Sequence, residues 1–426
     1  MDVMKKKLYF YGWTIVSLIF FCMAYSVAVR FSFSIFQTSL IEEFGWGRGV
    51  LGSAYAIMLG TYAITCPFTG RLFDTKGPRF VLLWGPIFYG VGMLLSSLIS
   101  ELWHVFVFPT LLVGLGIAMS GFPIYSALIP KWFNKKRGIA TGIALSGSGI
   151  GMLMLIPLIE YSISLVGWRW TYLLLGSSVL FLLFPIVYFV LYNKPEDIGQ
   201  NIDGVELPEG SATELVLEDK KEKIGFLEIY NKLKNDRNFW VLAITVFLIG
   251  LNNNMIFGQL HLYLTDVKFS SSSSALIFGS VGFVRIAGSI VMGWCSDYIG
   301  RPNAQSLSAL LTGIGILVLM CFVFVGNSIY LAILYILIFG IGLGGMTSCY
   351  SAMAADSFKG NTLGSTMGFL EVFFGLGGVL GPPFAGFVFD YTGSYLFPFM
   401  SIVVGMVVVI FFTLVVYRDP NKNASV

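Results

Sequence analysis

Apolar stretches long enough to cross a bilayer recur at residues 9–36, 49–69, 79–99, 103–129, 138–164, 168–192, 238–264, 272–294, 304–325, 328–355, 362–388 and 394–417, separated mostly by short polar joints. A helix rises about 1.5 Å per residue and the hydrocarbon core is about 30 Å thick, so roughly 20 apolar residues span it. The pattern predicts an all-α membrane protein of twelve transmembrane helices with both termini on one side. Residues 193–237 form the one long polar stretch. The expected division is an N-terminal six-helix bundle over 1–192, a cytoplasmic linker over 193–237 and a C-terminal six-helix bundle over 238–426. Late in the linker, Phe226, Ile229, Tyr230 and Leu233 have helical spacing beside Lys232 and Lys234. That suits a helix lying on the inner membrane surface, and equally a plain solvated linker.

Composition agrees: 56% of residues are hydrophobic and 12% charged, against about a quarter charged in soluble domains. The chain therefore lives in a lipid bilayer. Of its 26 Lys and Arg, Arg30 and Arg285 fall inside spans and Arg48, Arg169 and Lys268 in odd-numbered loops; the remaining 21 lie at the N-terminus, in even-numbered loops or in the C-terminal tail. Cytoplasmic loops collect positive charge, so both termini are expected in the cytoplasm. The net charge of +3 then reflects topology and gives no reason to expect nucleic acid as a partner. Trp13, Trp46, Trp103, Trp132 and Trp240 lie near span ends, where interfacial anchoring places them. The first span is too long for a signal-peptide core and is expected to stay. Cys22, Cys66, Cys295, Cys321 and Cys349 have no metal-ligand spacing and read as small packing residues, with no metal or cofactor implied.

The two halves repeat one another. Gly114, Gly116, Gly138, Gly142, Pro157 and Gly167 recur 226 residues later as Gly340, Gly342, Gly364, Gly368, Pro383 and Gly393. Gly70, Asp74 and Gly77 recur 223 residues later as Gly293, Asp297 and Gly300. Internal repeats of this kind are expected of secondary transporters, with the binding site near the midplane between repeats that rock against each other.

The stretches GRLFDTKGPR (Gly70 to Arg79) and GWCSDYIGR (Gly293 to Arg301) both resemble the cytoplasmic loop motif of the major facilitator superfamily. The glycines permit a tight turn, and the acids Asp74 and Asp297 would pair with a loop Arg such as Arg79 or Arg301, or with a helix N-terminus. By resemblance these loops latch the inner gate. Within the superfamily, Tyr11-Gly12-Trp13, WFNKKRGIATGIALSG (Trp132 to Gly147) and LGPPFAGFVFDYTGSY (Leu380 to Tyr395) are similar to the monocarboxylate transporters and oxalate/formate exchangers. NKPEDIGQNIDG (Asn193 to Gly204) resembles bacterial members, implying a bacterial or archaeal cell membrane. That family usually sets its carboxylate-binding Arg four residues before the loop-motif Gly; here Ser289 stands there and Arg285 lies one turn earlier, where the family's acid would be. The first-span cation of the family falls within about one residue of Arg30. The fourth-span Arg of many drug antiporters would fall near Thr110, which argues against drug and proton antiport.

A central intramembrane Arg costs about 2.5–3.5 kcal/mol on insertion scales, so it is expected to face a partner, a cavity or an anion. Arg285 is expected near mid-depth as the carboxylate-binding residue, or else in a structural pair with Glu371, which lies at similar depth in span eleven. If the two pair in the empty protein, an arriving anion competes for the Arg and frees Glu371 to take a proton. Arg30 would attract anions from the outer half of span one, or snorkel to the interface, with Glu160 as its partner judged from depth. Asn252, Asn253 and Asn254 in span seven, with Gln259 on the face of Asn252, would line the cavity or bond neighbouring helices. Tyr125 and Tyr350 occupy nearly matching repeat positions and would donate to a carboxylate, or simply pack. His104 and His261 are expected at outer interfaces.

These readings point to a secondary transporter of small organic anions working by alternating access, a monocarboxylate moving with a proton being the first expectation. The alternatives are anion exchange and a non-transporting membrane sensor. Nothing resembling a Ser-His-Asp, metal or cofactor constellation suggests an enzyme, and a monomer is expected.

Overall fold

The computed structural model describes residues 10–133, 137–204, 233–358 and 363–418. Twelve membrane-spanning helices follow one another along these residues. In the first half they are α1 (Gly12–Phe44), α2 (Arg48–Lys76), α3 (Pro78–Ser96), α4 (Leu102–Met119, resuming as Phe122–Trp132), α5 (Arg137–Val166) and α6 (Trp168–Val190). In the second half they are α7 (Arg237–Asp266), α8 (Ser271–Ile299), α9 (Arg301–Val325), α10 (Ile329–Ser357), α11 (Leu363–Thr392) and α12 (Leu396–Val416). The described chain begins and ends on one face of this array, where Asn238 bonds the Arg418 backbone. We call it the near face, and its opposite the far face.

Local chemistry sets the helix ends. Asp236 caps α7 by accepting from Phe239 N at 3.1 Å, and Ser270 caps α8 by accepting from Ser273 N at 3.2 Å. Gly77 and Gly300, the repeat-related glycines of the loop motif, both hold φ +86°, a conformation costly for any residue with a Cβ. Each is followed directly by the next helix, with Pro78 or Pro302 in its first turn.

The helices form two bundles, each with an apolar core, and the core of the second also takes in Phe31 and Ile35 of α1 and Met152 and Ile156 of α5. Within the halves, α1 packs on α5, α3 on α4 and α6, α7 on α11, and α10 on α8 and α9. Between the halves run three seams: α2 against α11, α5 against α8, and α1 against α7. The α2–α11 seam needs Gly52, because a Cβ there would lie 2.6 Å from the Pro382 carbonyl oxygen.

Two elements differ from the pattern-based reading. α1 continues through Phe44 instead of stopping near 36, because the helix outlasts its apolar run and ends only at Gly45, whose φ of +67° closes it. Span four is broken at Ser120 and Gly121, where the backbone turns extended ahead of a proline-started helix. The proposed surface helix at Phe226, Ile229 and Tyr230 lies outside the described residues.

Candidate functional site

α1 carries Arg30, Ser34 and Thr38 at four-residue spacing, which places three polar side chains on one face. That face meets α7. Arg30 Nη2 donates to Asn254 Oδ1 at 2.8 Å, Ser34 Oγ to the Gly258 carbonyl at 3.2 Å, and Thr38 Oγ1 lies 3.2 Å from His261 Nδ1. A polar ladder thus climbs one seam between the halves from mid-membrane to the far face.

At the foot of the ladder two guanidinium groups converge. Arg285 of α8 donates from Nη1 to Asn253 Oδ1 at 3.4 Å, a long and therefore weak bond. Arg30 also lies 5.3 Å from the Phe31 ring centroid and 5.8 Å from that of Tyr62, and is near enough to Arg285 for their charges to interact. Among the described residues neither arginine forms an ion pair; each is held by a neutral amide from adjacent positions of α7. Asn254 is fixed in turn, its Nδ2 donating to the Gly250 carbonyl at 2.9 Å.

Glu371 of α11 accepts from the Tyr350 hydroxyl at 3.3 Å. It does not pair with Arg285, but Arg30, Tyr62 and Cys66 lie within its electrostatic reach. It thus lies beside residues of the opposite half. The arrangement therefore brings two cations without an ion-pair partner among the described residues, a tyrosine hydroxyl and one carboxylate within electrostatic reach of one another, side chains able to bind a small anion and hold a proton nearby.

Other expected site residues stand apart from this centre. Gln259 is fully buried, accepts from the Tyr395 hydroxyl at 3.0 Å and donates to the Pro382 carbonyl at 3.4 Å, both within its own half. Asn252 shares that helix face, is also fully buried, and neither of its amide atoms has a hydrogen-bond partner among the described residues. Tyr125 is buried against Cys22 and Ser120 inside the N-terminal bundle. Glu160 pairs with His261 at 3.7 Å and not with Arg30. The reason is depth: Glu160 sits level with Thr38, and eight residues of helix, about 12 Å, separate that level from Arg30. His261 is thereby a buried seam residue, whereas His104 stays near the far face, accepting backbone N–H bonds from Ser100 and Glu101.

On the near face the loop-motif residues bond within their own halves. Arg301 pairs with Asp297 at 2.7 Å and with Asp356 of α10 at 3.4 Å, and bonds Ser296. Arg79 donates from its backbone N to Asn193 at 2.9 Å and from Nη2 to the Tyr188 carbonyl at 2.8 Å. A Cβ on Gly70 would meet open space, and one on Gly293 would only touch Ser348. The side chain of Asp74 lies outside the described residues.

The far face is bolted by residues that sequence reasoning passed over. Arg48, at the start of α2, reaches both Asp266 carboxylate oxygens, at 2.5 and 2.8 Å, and the Tyr395 hydroxyl at 3.1 Å, with its guanidinium 4.0 Å from the Phe389 ring centroid. Asp390 accepts from the backbone N–H groups of Arg48 and Gly49 at 3.0 and 2.7 Å. The signal was present: Arg48 is one of three basic residues in the odd-numbered loops, and Asp390 and Tyr395 belong to the Leu380-to-Tyr395 stretch singled out above.

Comparison with known proteins agrees with this architecture. The profile described as Major Facilitator Superfamily matches residues 16–305 and 242–426. Monocarboxylate transporter 12 of Homo sapiens is 26% identical over 92% of this chain and 77% of its own length. Monocarboxylate transporter 2 of Homo sapiens is 26% identical over 92% of this chain and 82% of its own. Monocarboxylate transporter 13 of Rattus norvegicus is 24% identical over 90% and 84% respectively. In fold, the chain is similar to a bacterial homolog of the human lysosomal transporter Spinster, solved in an inward-facing and unoccupied conformation, with a TM-score of 0.76, 17% identity and coverage of 97% and 98% of the two chains.

Proposed function

Since this chain belongs to the major facilitator superfamily of transporters, we propose that it moves a small monocarboxylate together with a proton, its two halves rocking about the Arg30–Arg285 centre. The observation that carries the proposal is the pair of intramembrane arginines that bond the neutral amides of Asn253 and Asn254 and form no ion pair among the described residues. A guanidinium prefers a carboxylate to an amide oxygen, because both partners are then charged and two parallel bonds form. An entering anion therefore takes the place of those amides, and similarity to monocarboxylate transporters supports a carboxylate as that anion.

Glu371 is the proton site of this scheme. Its charge is balanced partly by the nearby Arg30. An anion bound at Arg30 absorbs that attraction and adds a like charge, so anion and proton bind together. If the termini are cytoplasmic, as the excess of basic residues at the N-terminus, in the even-numbered loops and in the C-terminal tail implies, the near face is the inner face.

The test is uptake of radiolabelled lactate, pyruvate, acetate, formate and oxalate into proteoliposomes, with and without an inward proton gradient. Gradient-driven uptake that is lost at low substrate concentration in Arg285→Ala, and is reduced to exchange alone in Glu371→Gln, is the expected result. A folded wild type that takes up none of these acids overturns the monocarboxylate reading.

A further inference from the structure

A second titratable centre lies on the far-face seam, away from the anion site. His261 of α7 is fully buried where four helices meet: Nδ1 is 3.2 Å from Thr38 Oγ1 of α1, Nε2 is 3.3 Å from Ser271 Oγ of α8, and Nε2 is 3.7 Å from Glu160 Oε2 of α5. The Ser271 hydroxyl also reaches Glu160. Thr38 and Glu160 come from one half, His261 and Ser271 from the other, so the cluster exists only while the far face is shut.

Thr38, Glu160 and Ser271 line a cavity of about 710 Å³ on that face, whose remaining charged walls are Glu42 of α1, Arg48 of α2, Asp266 of α7 and Lys268 in the loop after α7. Three carboxylates there face two cations, and Arg48 is already engaged by Asp266. Asp390 of α11 is taken up by the α2 N-terminus. Closing the seam therefore gathers one negative charge in excess beside a buried imidazole, the side chain whose ordinary titration falls nearest neutrality.

We propose that Glu160 and His261 form a proton site of the far-face gate, which takes up one proton from the far side as the gate closes and returns it to the same side as the gate opens. Burying a carboxylate without a compensating charge is costly. A proton on either group removes that charge while Thr38 and Ser271 lie within hydrogen-bond reach of the ring nitrogens. Once the halves part, both groups stand in water, where an imidazole releases its proton above about pH 6.5. Above about pH 6.5 the closed gate therefore binds more protons than the open one, so acidifying the far side within that range favours closure, by at most about tenfold per pH unit for one proton. This proton is not carried across, unlike that of Glu371. The inference rests on alternating access and is independent of which anion is moved.

Spin labels at Ser100→Cys and Asn327→Cys, exposed far-face loop positions of opposite halves, report the gate by double electron–electron resonance in nanodiscs, with the five native cysteines replaced. The long-distance, far-face-open fraction is expected to rise several-fold between about pH 5.5 and pH 8.5. Glu160→Gln and His261→Gln are each expected to flatten that response. If a single conformer fills the whole range, Arg48→Ala, which removes the separate bolt, brings both into view for the same comparison. A response absent under those conditions, or one that persists undiminished in both variants, overturns the proposal. Neither result bears on the anion, since no substrate is present.

Discussion

Asp390 caps a helix that is not its own: its carboxylate accepts the backbone N–H of Gly49 at 2.7 Å, so an acid in α11 satisfies the first turn of α2 in the opposite half. A helix N-terminus carries unpaired N–H groups and partial positive charge. Here that need is met only when the far face is closed, which makes the cap a conformational bond rather than a folding one.

Asp390→Asn keeps the shape but loses the charge, and Asp390→Ala loses the cap. Caps contribute about 1 kcal/mol, so the alanine variant is expected to raise the far-face-open population roughly fivefold, and the asparagine variant less. Distance distributions across the far face measure both. Equal populations in wild type and Asp390→Ala would dismiss the cap as a gate element.

Gly52→Val acts on the same seam by volume. The new Cβ meets the Pro382 carbonyl at 2.6 Å, and overpacking of this kind costs about 1–3 kcal/mol. The far-face-closed form is expected to lose population while global thermal stability in detergent changes little.

On the proposed scheme Arg285→Ala removes a charge-assisted contact to the substrate, a loss of about 1.5–3 kcal/mol, so the half-saturation concentration is expected to rise roughly ten- to a hundred-fold. Arg285→Lys restores the charge without the planar fork and recovers only part of it. Full recovery by lysine would mean that the contact is electrostatic at a distance.

Gln259→Leu separates glue from cavity lining. Gln259 is tied to Tyr395 and Pro382 inside one bundle, so the variant is expected to lower thermal stability by about 1 kcal/mol per lost bond. Half-saturation for the anion should stay within about twofold, below the 1.4 kcal/mol that a tenfold change represents. A large rise in half-saturation with unchanged stability would instead place Gln259 at the substrate.

Much of this was legible in the chain. Apolar run length located the spans because the bilayer imposes it, and the repeat offset marked Gly77 and Gly300, whose identical φ of +86° is the reason glycine stands at both. Arg30 and Arg285 announced themselves through the cost of burying charge in lipid. Their partners did not. Depth along a helix is readable from residue counting, but which faces meet across a seam depends on how two bundles dock. Glu160 was therefore assigned to Arg30 although His261 is its neighbour, and the Arg48–Asp266 pair, 218 residues apart in sequence, went unseen.

The centre also has an electrical consequence. On the proposed scheme the empty centre holds Arg30, Arg285 and an ionised Glu371, a sum of one positive charge; a bound monoanion and a proton on Glu371 leave that sum unchanged. Moving one elementary charge through the field costs about 2.3 kcal/mol per 100 mV, and on this scheme the loaded and unloaded steps carry the same charge in opposite directions. Voltage then helps one step as much as it hinders the other and drives no accumulation. A potassium diffusion potential imposed across proteoliposomes should alter how fast substrate enters but leave its final ratio to the pH gradient alone. A plateau that follows the voltage would mean that a further charge moves with each turnover.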